Sequence, residues 1–519
     1  MNSQLATIGT ELRNKNYNYV EQLCWEFLKT NKDHFHALKA LALSLLMQQK
    51  TGGAIEIYEK LHKQEANDID IIINLSNLYL SIEEFHKTSL LLEKALSIQS
   101  ENFLANLNKA DLLFKSRDYK NAKIFCEKAI SLSSKNDEYV YNQQLIHLYG
   151  DVLIALNDTD GAIEFVKKCF EINQDTTDLY YLINLKRDLF ERHEIDKFVE
   201  TKLSINFKTE SQKFMVLAPM YFALGRYSES FNRGLSEGCY IKANDISSKV
   251  QRFQPLEHQR HIKNIKKIFL QQKEIIKNNY DQTLGKENIF VVGMPRSGTT
   301  LVESMIASNE NVISGGEMIS MPQLLRKYYE KDVTELPDLS EVAKNYTERM
   351  NFIRKNKPFF LDKLPANFYH IGIILLALPQ AKIIHIQRDP WDVAVSLFKQ
   401  LYISNIPFAS KFFSIACTIA NYQHLMSFWE ENLPHKIHHI RYEELVSSPQ
   451  EHGQEMFNFI KIDEKFDIGK RESFFSRTAS KVQVKQEIHT KSLKKEEFME
   501  FKEKFMDDFG QQKKYWENQ

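Results

Sequence analysis

The sequence has no surplus of either charge. Lys plus Arg number 68 and Asp plus Glu number 68 over 519 residues. Net charge therefore argues neither for nor against acidic substrates, and any anion site must be local and built from a few residues. No nucleic-acid partner is expected. Cysteine is scarce and scattered: Cys24, Cys126, Cys169, Cys239 and Cys417 are odd in number, far apart and never in a CxxC pair. That fits reduced thiols in a cytosolic protein better than a disulfide framework or a zinc site. No cluster with metal-ligand spacing is visible, so no metal is expected. The start, MNSQLATIGTELRNKNYN, lacks a basic segment followed by an apolar run, and no signal peptide is read. No uncharged apolar stretch reaches the roughly 18 residues that span a bilayer. Ile371 to Leu378 comes nearest and reads as core. The expectation is a soluble, cytoplasmic chain of two to four domains, at about 100–200 residues per domain.

What is present in the first half is self-similarity. With a shift of 34 residues, Val20, Ala54, Thr88 and Ala122 fall in one column. Cys24, Tyr58, Leu92 and Cys126 fall in a second, and Phe27, Leu61, Ala95 and Ala129 in a third. Tyr17, Thr51, Phe85 and Tyr119 precede them, and Leu41 with Leu75 and then Ala42, Ser76 and Ala110 make earlier columns. Steps of three and four place these small or apolar residues on one helix face. Each unit reads as a helix–turn–helix that must stack on its neighbours to bury that face. The period and the small/aromatic pattern resemble the tetratricopeptide repeat (TPR), without the signature Trp and Gly of its first helix. A fifth copy follows about six inserted residues later, with Ala162, Val166 and Cys169 in register, and a weaker unit surrounds Gly225, Tyr227 and Ser230. The basic, amphipathic stretch 258–279 reads as a solvated connecting helix.

From Ile289 the pattern changes. Ile289 to Val292 is a short apolar, β-branched run ending in Gly293, and reads as a buried parallel strand. The loop-to-helix segment GMPRSGTTLVESMIAS follows. Ala381 to Ile386 alternates and ends in Gln387-Arg388-Asp389, with Asp389 as an N-cap and Pro390 at the first helical position. Lys436 to Ile440 is a third strand. Strands alternating with helices predict a parallel sheet of P-loop-like α/β type. The whole is thus α + α/β: TPR repeats over 1–170, a further helical region and connector over 171–284, and the α/β domain over 285–519.

Gly293 to Thr300 has the length and glycine positions of a Walker A loop, but Thr299 stands where its lysine would be. Strand, loop and helix suit backbone N–H groups and a helix N-terminus holding a phosphate. Arg296 adds a fixed cation, which favours a 5′-phosphate derivative over a nucleoside triphosphate with magnesium.

PRSGTTL after a strand resembles the 5′-phosphosulfate-binding loop of sulfotransferases that use 3′-phosphoadenosine-5′-phosphosulfate (PAPS). IIHIQRDPWDVAVSL resembles their 3′-phosphate segment, with Arg388 closing the strand and Ser396 eight residues on. SGGEM places Glu317 21 residues after Arg296, and FLDKLPANF places Lys363 25 residues before Arg388. Both resemble the tyrosylprotein sulfotransferases and the bacterial TPR–sulfotransferase fusions. The resemblance covers about residues 285–495. It implies PAPS as the donor, held by Pro295, Arg296, Ser297, Gly298, Thr299, Thr300, Arg388 and Ser396. It also implies Glu317 as base for the acceptor hydroxyl and Lys363 as stabilising the transferring group, with Arg296 neutralising charge on the leaving 5′-phosphate. The late segment 478–493 resembles a cofactor-contacting stretch, with Ser480, Lys485 and Ser492 as candidates. The His base and late RKG of the small-molecule sulfotransferases are not recognisable, and His370 and His385 read as structural. The implied acceptor is a peptide or protein, with saccharide, lipid headgroup or metabolite left open. The repeats imply a protein partner. Two alternatives stand beside this: an inactive TPR scaffold, and a kinase with a variant P-loop.

Overall fold

The computed structural model describes residues 2–133, 142–275, 281–329, 335–402, 406–473 and 496–518. The chain divides into two compact units, Met1–Val152 and Leu153–Gln519. Within the first, helix α1 (Asn2–Arg13) leads into α2 (Tyr17–Leu28), α3 (Phe35–Met47), α4 (Thr51–Gln64), α5 (Ile69–Ser81), α6 (Phe85–Ile98), α7 (Phe103–Lys115) and α8 (Tyr119–Ser133). Helices α2, α4, α6 and α8 begin at residues 17, 51, 85 and 119, so the period of 34 is carried into the fold without slippage. Val20, Ala54, Thr88 and Ala122 are all fully buried, as are Cys24, Leu92, Cys126, Leu61, Ala95 and Ala129. Small side chains at these points let paired helices approach closely while the larger ones fill the space between pairs. The turn that closes each unit carries a left-handed residue, at Lys15, Gln49, Glu83 and Arg117, again 34 apart. A left-handed residue after a helix end reverses the chain within a few residues.

The helix α9 (Gln143–Ala155) is followed, in the second unit, by α10 (Thr159–Asn173), α11 (Thr176–Leu185), α12 (Arg192–Leu203), α13 (Glu210–Ser228), α14 (Arg233–Val250) and α15 (Pro255–Ile275). In α10 Ala162 and Val166 are fully buried, as the fifth copy requires, while Cys169 is only partly covered. The weaker unit is the hairpin of α13 and α14. In α15 Arg260, Lys263 and Lys267 are exposed and Lys266 meets His424 at 3.0 Å, but Ile262, Ile265 and Phe269 are core, and Phe269 meets Trp429 edge to face at 5.1 Å. The helix therefore packs as well as connects.

The sheet is parallel throughout. Its strands are β1 (Asn288–Gly293), β2 (Val312–Gly316), β3 (Phe359–Asp362), β4 (Lys382–Gln387) and β5 (Ile437–Arg441), in the order β2-β3-β1-β4-β5. The strands read from the sequence are β1, β4 and β5. Strands β2 and β3 are short and were not marked by alternation, since both are buried nearly throughout. The intervening helices are α16 (Thr299–Ile306), α17 (Ser320–Leu325), α18 (Leu339–Arg354), α19 (Ile371–Ala377), α20 (Pro390–Phe398), α21 (Phe412–Asn432), α22 (Tyr442–Ser447) and α23 (Pro449–Ile460), and α24 (Met499–Glu517) comes last. Both sheet faces are covered. Ile289 and Val291 face a core with Val302, Met305, Met456 and Phe457, while Phe290 stacks on Tyr346 of α18 at 5.4 Å. The chain leaves β1 for β2 on one side and later adds β4 on the other. The carboxyl ends of β1 and β4 are therefore the switch point where an open α/β sheet forms its crevice.

Candidate active site

Four of the residues expected to carry chemistry sit just past the carboxyl end of a parallel strand. Arg296 follows β1, Glu317 follows β2, Lys363 follows β3 and Arg388 follows β4. Register then brings them together, because β1 pairs with both β3 and β4, and β2 pairs with β3.

The loop after β1 is shaped by three left-handed residues, with φ of 71° at Arg296, 112° at Gly298 and 155° at Gly293. A Cβ at Gly298 would stand 2.5 Å from the Tyr442 ring, and one at Gly293 would stand 2.6 Å from the Ile386 carbonyl oxygen. Both positions therefore require glycine. The loop turns into α16 at Gly298, and the hydroxyl of Ser297, 1% exposed, has no hydrogen-bond partner among the described residues. A buried orphan hydroxyl in a loop that opens a helix fits a bound anion. Thr299 and Thr300 begin the helix and are buried, and Pro295 precedes Arg296 in the turn.

The two arginines meet at this loop. Arg296 Nε donates to Ser396 Oγ at 3.0 Å, and Arg388 Nη1 donates to the Arg296 carbonyl at 3.3 Å. Burial presses the Arg296 guanidinium below its ordinary pKa, with Tyr402 and Tyr180 opposing that. The Arg388 guanidinium lies over the Tyr442 ring, 4.3 Å from its centroid, and pairs with Asp392 at 3.7 Å. Asp389 caps α20, accepting from the backbone N–H groups of Trp391 (2.9 Å) and Asp392 (3.0 Å), and Pro390 occupies the first helical position as the sequence indicates. That cap aims Ser396 back toward the β1 loop.

Lys363 is fully buried. Its Nζ donates to Glu317 Oε1 at 2.7 Å and lies 3.5 Å from Glu303 Oε2, a fully buried carboxylate on α16. Glu317 has a 45% exposed side chain, so one carboxylate of this trio faces solvent and the other does not. Ser480, Lys485 and Ser492 lie outside the described residues.

His370 and His385 are both buried. His370 stacks on Tyr329 at 5.4 Å, and burial lowers its pKa to about 3. His385 Nδ1 shares a hydrogen bond with His439 Nδ1 at 2.8 Å, and its Nε2 bonds the Tyr422 hydroxyl. His385, Tyr422 and His439 line a cavity of about 780 Å³ that also reaches Ser297 and Arg388.

Several residues escaped the sequence reading. Glu303 looked like one polar position in the apolar face of α16. Tyr442 carried no pattern beyond following a strand. Most telling is the clamp on the end of α20. Asn244 donates to the Phe398 carbonyl (2.7 Å), Gln251 donates to the Tyr402 carbonyl (2.9 Å), and the Tyr180 hydroxyl accepts from Gln400 (2.7 Å). Lys399 pairs with Glu229 at 2.8 Å, and Glu229 also holds Arg187 and Arg226. Helices α11, α13 and α14 thus position the helix that carries Ser396. The Tyr402 hydroxyl is buried without a partner among the described residues and lies within electrostatic reach of Arg296 and Glu317.

A sulfotransferase family model matches residues 288–467, which spans β1 to β5. A tetratricopeptide repeat model matches residues 104–136 and 143–176. Residues 288–467 are a sulfotransferase-family domain. An uncharacterized protein of Aquifex aeolicus (strain VF5) is 26% identical over 375 residues, covering 68% of this chain and 48% of that protein. The chain thus spans about half the length of that relative. A Caenorhabditis briggsae protein named "Putative protein-tyrosine sulfotransferase" is 26% identical over 230 residues, covering 40% of this chain and 79% of its own. Among solved structures, sulfotransferase STF9 from Mycobacterium avium is similar at 14% identity and a TM-score of 0.26, covering 55% of this chain and 87% of its own. The sulfotransferase domain contains the β1 loop, Glu303, Glu317, Lys363, Arg388 and Ser396 within its matched span. Among the described residues, no group of three or more His, Cys, Asp or Glu side chains is arranged to hold a metal ion. Nor is any helix among them long and apolar enough to cross a membrane.

Proposed function

We propose that this chain is a PAPS-dependent sulfotransferase acting on an acceptor hydroxyl, with a protein tyrosine as the favoured acceptor and the repeats presenting a protein partner. The observation that carries the reading is the convergence, at one carboxyl edge, of two arginines, a buried lysine, an exposed carboxylate and an orphan buried hydroxyl. When bound, PAPS supplies a sulfuryl group on a phosphate leaving group. The β1 loop, with the Ser297 hydroxyl and Arg296, binds that 5′-phosphate and offsets the charge it gains. Arg388 and Ser396 hold the 3′-phosphate, the arginine as a planar fork of donors and the serine as a hydroxyl beside it. Lys363 donates to the oxygens of the transferring group. Glu317, open to solvent on one side, accepts the proton of the acceptor hydroxyl. The C. briggsae relative supports a protein-tyrosine acceptor by its name.

The test is calorimetric titration of the whole protein with 3′,5′-adenosine diphosphate, with ATP–magnesium in parallel. Micromolar or tighter binding of the diphosphate with weak ATP binding is expected, followed by label transfer from radiolabelled PAPS to tyrosine peptides. Preference for ATP–magnesium would favour a kinase-like P-loop. Folded protein that binds neither would leave the repeats as the working part.

A further inference from the structure

Lys363 has two carboxylate partners, and the proposed reaction needs only one of them. Glu317 is the exposed partner, while Glu303 is 0% exposed and stands on the first two turns of α16, directly behind the β1 loop. A carboxylate this deep costs several kcal/mol to desolvate unless it is paired and hydrogen-bonded. Both conditions are met. Ser314 Oγ donates to Glu303 Oε1 at 2.6 Å, and the Gly316 N–H donates to Ser314 Oγ at 3.0 Å. The other Glu303 oxygen faces Lys363. The register shift between β2 and β3 at Ser314/Gly316 places the serine in this chain. The Lys363 backbone is tied to the same strand end, its N–H donating to the Gly316 carbonyl at 2.9 Å. Glu303, Ser314, Gly316 and Lys363 thus form one buried, hydrogen-bonded unit, and at its end the lysine ammonium bonds Glu317.

We infer that Glu303 is the positioning residue for Lys363: it is the fixed counter-charge that lets the lysine move its hydrogen bond from Glu317 to the transferring group. Without Glu303, Lys363 would have Glu317 as its one carboxylate partner among the described residues. Donating to the sulfuryl oxygens would then mean abandoning that partner inside the protein. With Glu303 in place the ammonium keeps a carboxylate at its back throughout, and Glu317 is released to take the acceptor's proton. The role rests on the sulfotransferase reading, since it assigns Lys363 to the transferring group.

The experiment is a double-mutant cycle with Glu303→Gln, Lys363→Met and the pair, on the full chain, with Glu303→Asp as the conservative variant. Three quantities are read for each protein: kcat with PAPS, affinity for 3′,5′-adenosine diphosphate, and urea midpoint. Glu303→Gln should lower kcat by about 10- to 100-fold, in line with loss of an outer partner that orients a reacting group, while diphosphate affinity stays within about threefold. In the Lys363→Met background the same change should have almost no further effect on kcat, and the pair should be more stable than the sum of its parts predicts. Glu303→Asp should recover part of the loss. If active wild type is matched by Glu303→Gln, or if the two kcat losses simply multiply, Glu303 does not act through Lys363 and the role falls. If Glu303→Gln lowers diphosphate affinity as much as kcat, its part is general to the fold and the role again falls. Wild type that binds no diphosphate and transfers no sulfuryl group overturns the enzyme reading and this role with it.

Discussion

At the scale of single residues, the proposed function separates binding from chemistry. It assigns Arg388 and Ser396 to the nucleotide end and Glu317 and Lys363 to the reacting end, with Arg296 bonded to Ser396. Replacing Arg388 by Ala should weaken binding of 3′,5′-adenosine diphosphate by about 10- to 100-fold, the loss of a charge-assisted pair. Replacing Glu317 by Gln should leave that affinity nearly intact and lower turnover by about 10²–10⁴-fold, as for loss of a general base. Calorimetry and a PAPS turnover assay on the same preparations check both. Unchanged affinity in the first variant, or turnover near wild type in the second, would remove the residue from its role. These residues were legible because each follows a strand within a short, dense motif. Glu303 was not, because a single acid on an amphipathic helix gives no sign of whether it faces water or a buried lysine.

At the scale of elements, α20 is the piece whose position matters most, and its support comes from well outside the matched domain. Glu229, on the turn after α13, is the hub. Burial alone would push its carboxyl up, but Lys399, Arg226 and Arg187 outweigh it and hold the pKa at about 2. Replacing Glu229 by Ala leaves these cations without their shared partner and should cost about 3 kcal/mol of stability, in the range for breaking a buried pair. It should also weaken diphosphate binding, since Lys399 directly follows the helix that presents Ser396. Urea unfolding and calorimetry test the two effects. A stable variant with wild-type affinity would mean that α20 holds its place unaided. The register of the repeat helices was legible in the sequence, because a 34-residue period holds over several copies, and the structure places the column Tyr17, Thr51, Phe85 and Tyr119 at helix starts. The clamp was not, since Tyr180, Asn244 and Gln251 contact α20 and its turn across more than 150 positions of chain.

At the scale of the whole molecule, the interior holds neutral histidines that set its response to acid. Burial lowers His258 and His370 to about 3 and also holds His385 well below its ordinary value, whereas an unfolded histidine titrates near 6.5. Between those values the unfolded chain binds more protons than the native one. The stability these groups contribute is therefore complete above about pH 6.5 and is lost as pH falls toward about 3. Glu229 adds a second loss, from about pH 4.5 down to about 2. The Tm should thus begin to fall below about pH 6.5 and fall faster below about 4.5. Calorimetric scans from pH 8 to 3 check this, and a flat Tm between pH 7 and 5 would mean that the histidines charge without unfolding the protein. Cys24 and Cys126, pushed up to about 12 by burial, should stay unreactive to thiol reagents until the chain unfolds.

By itself the sequence determined the repeat, the parallel α/β class and the strand-end motifs, because periodicity and short loop signatures are local properties of a chain. Arg296, Glu317, Lys363, Arg388 and Ser396 could all be named from it. Tertiary structure alone decided which of them touch: parallel pairing sets the ends of β2, β3, β1 and β4 side by side, so residues about a hundred positions apart share one hydrogen bond. It also decided that Lys363 is buried between an exposed carboxylate and a buried one, because burial depends on what the rest of the chain packs against a position and not on the residue that occupies it.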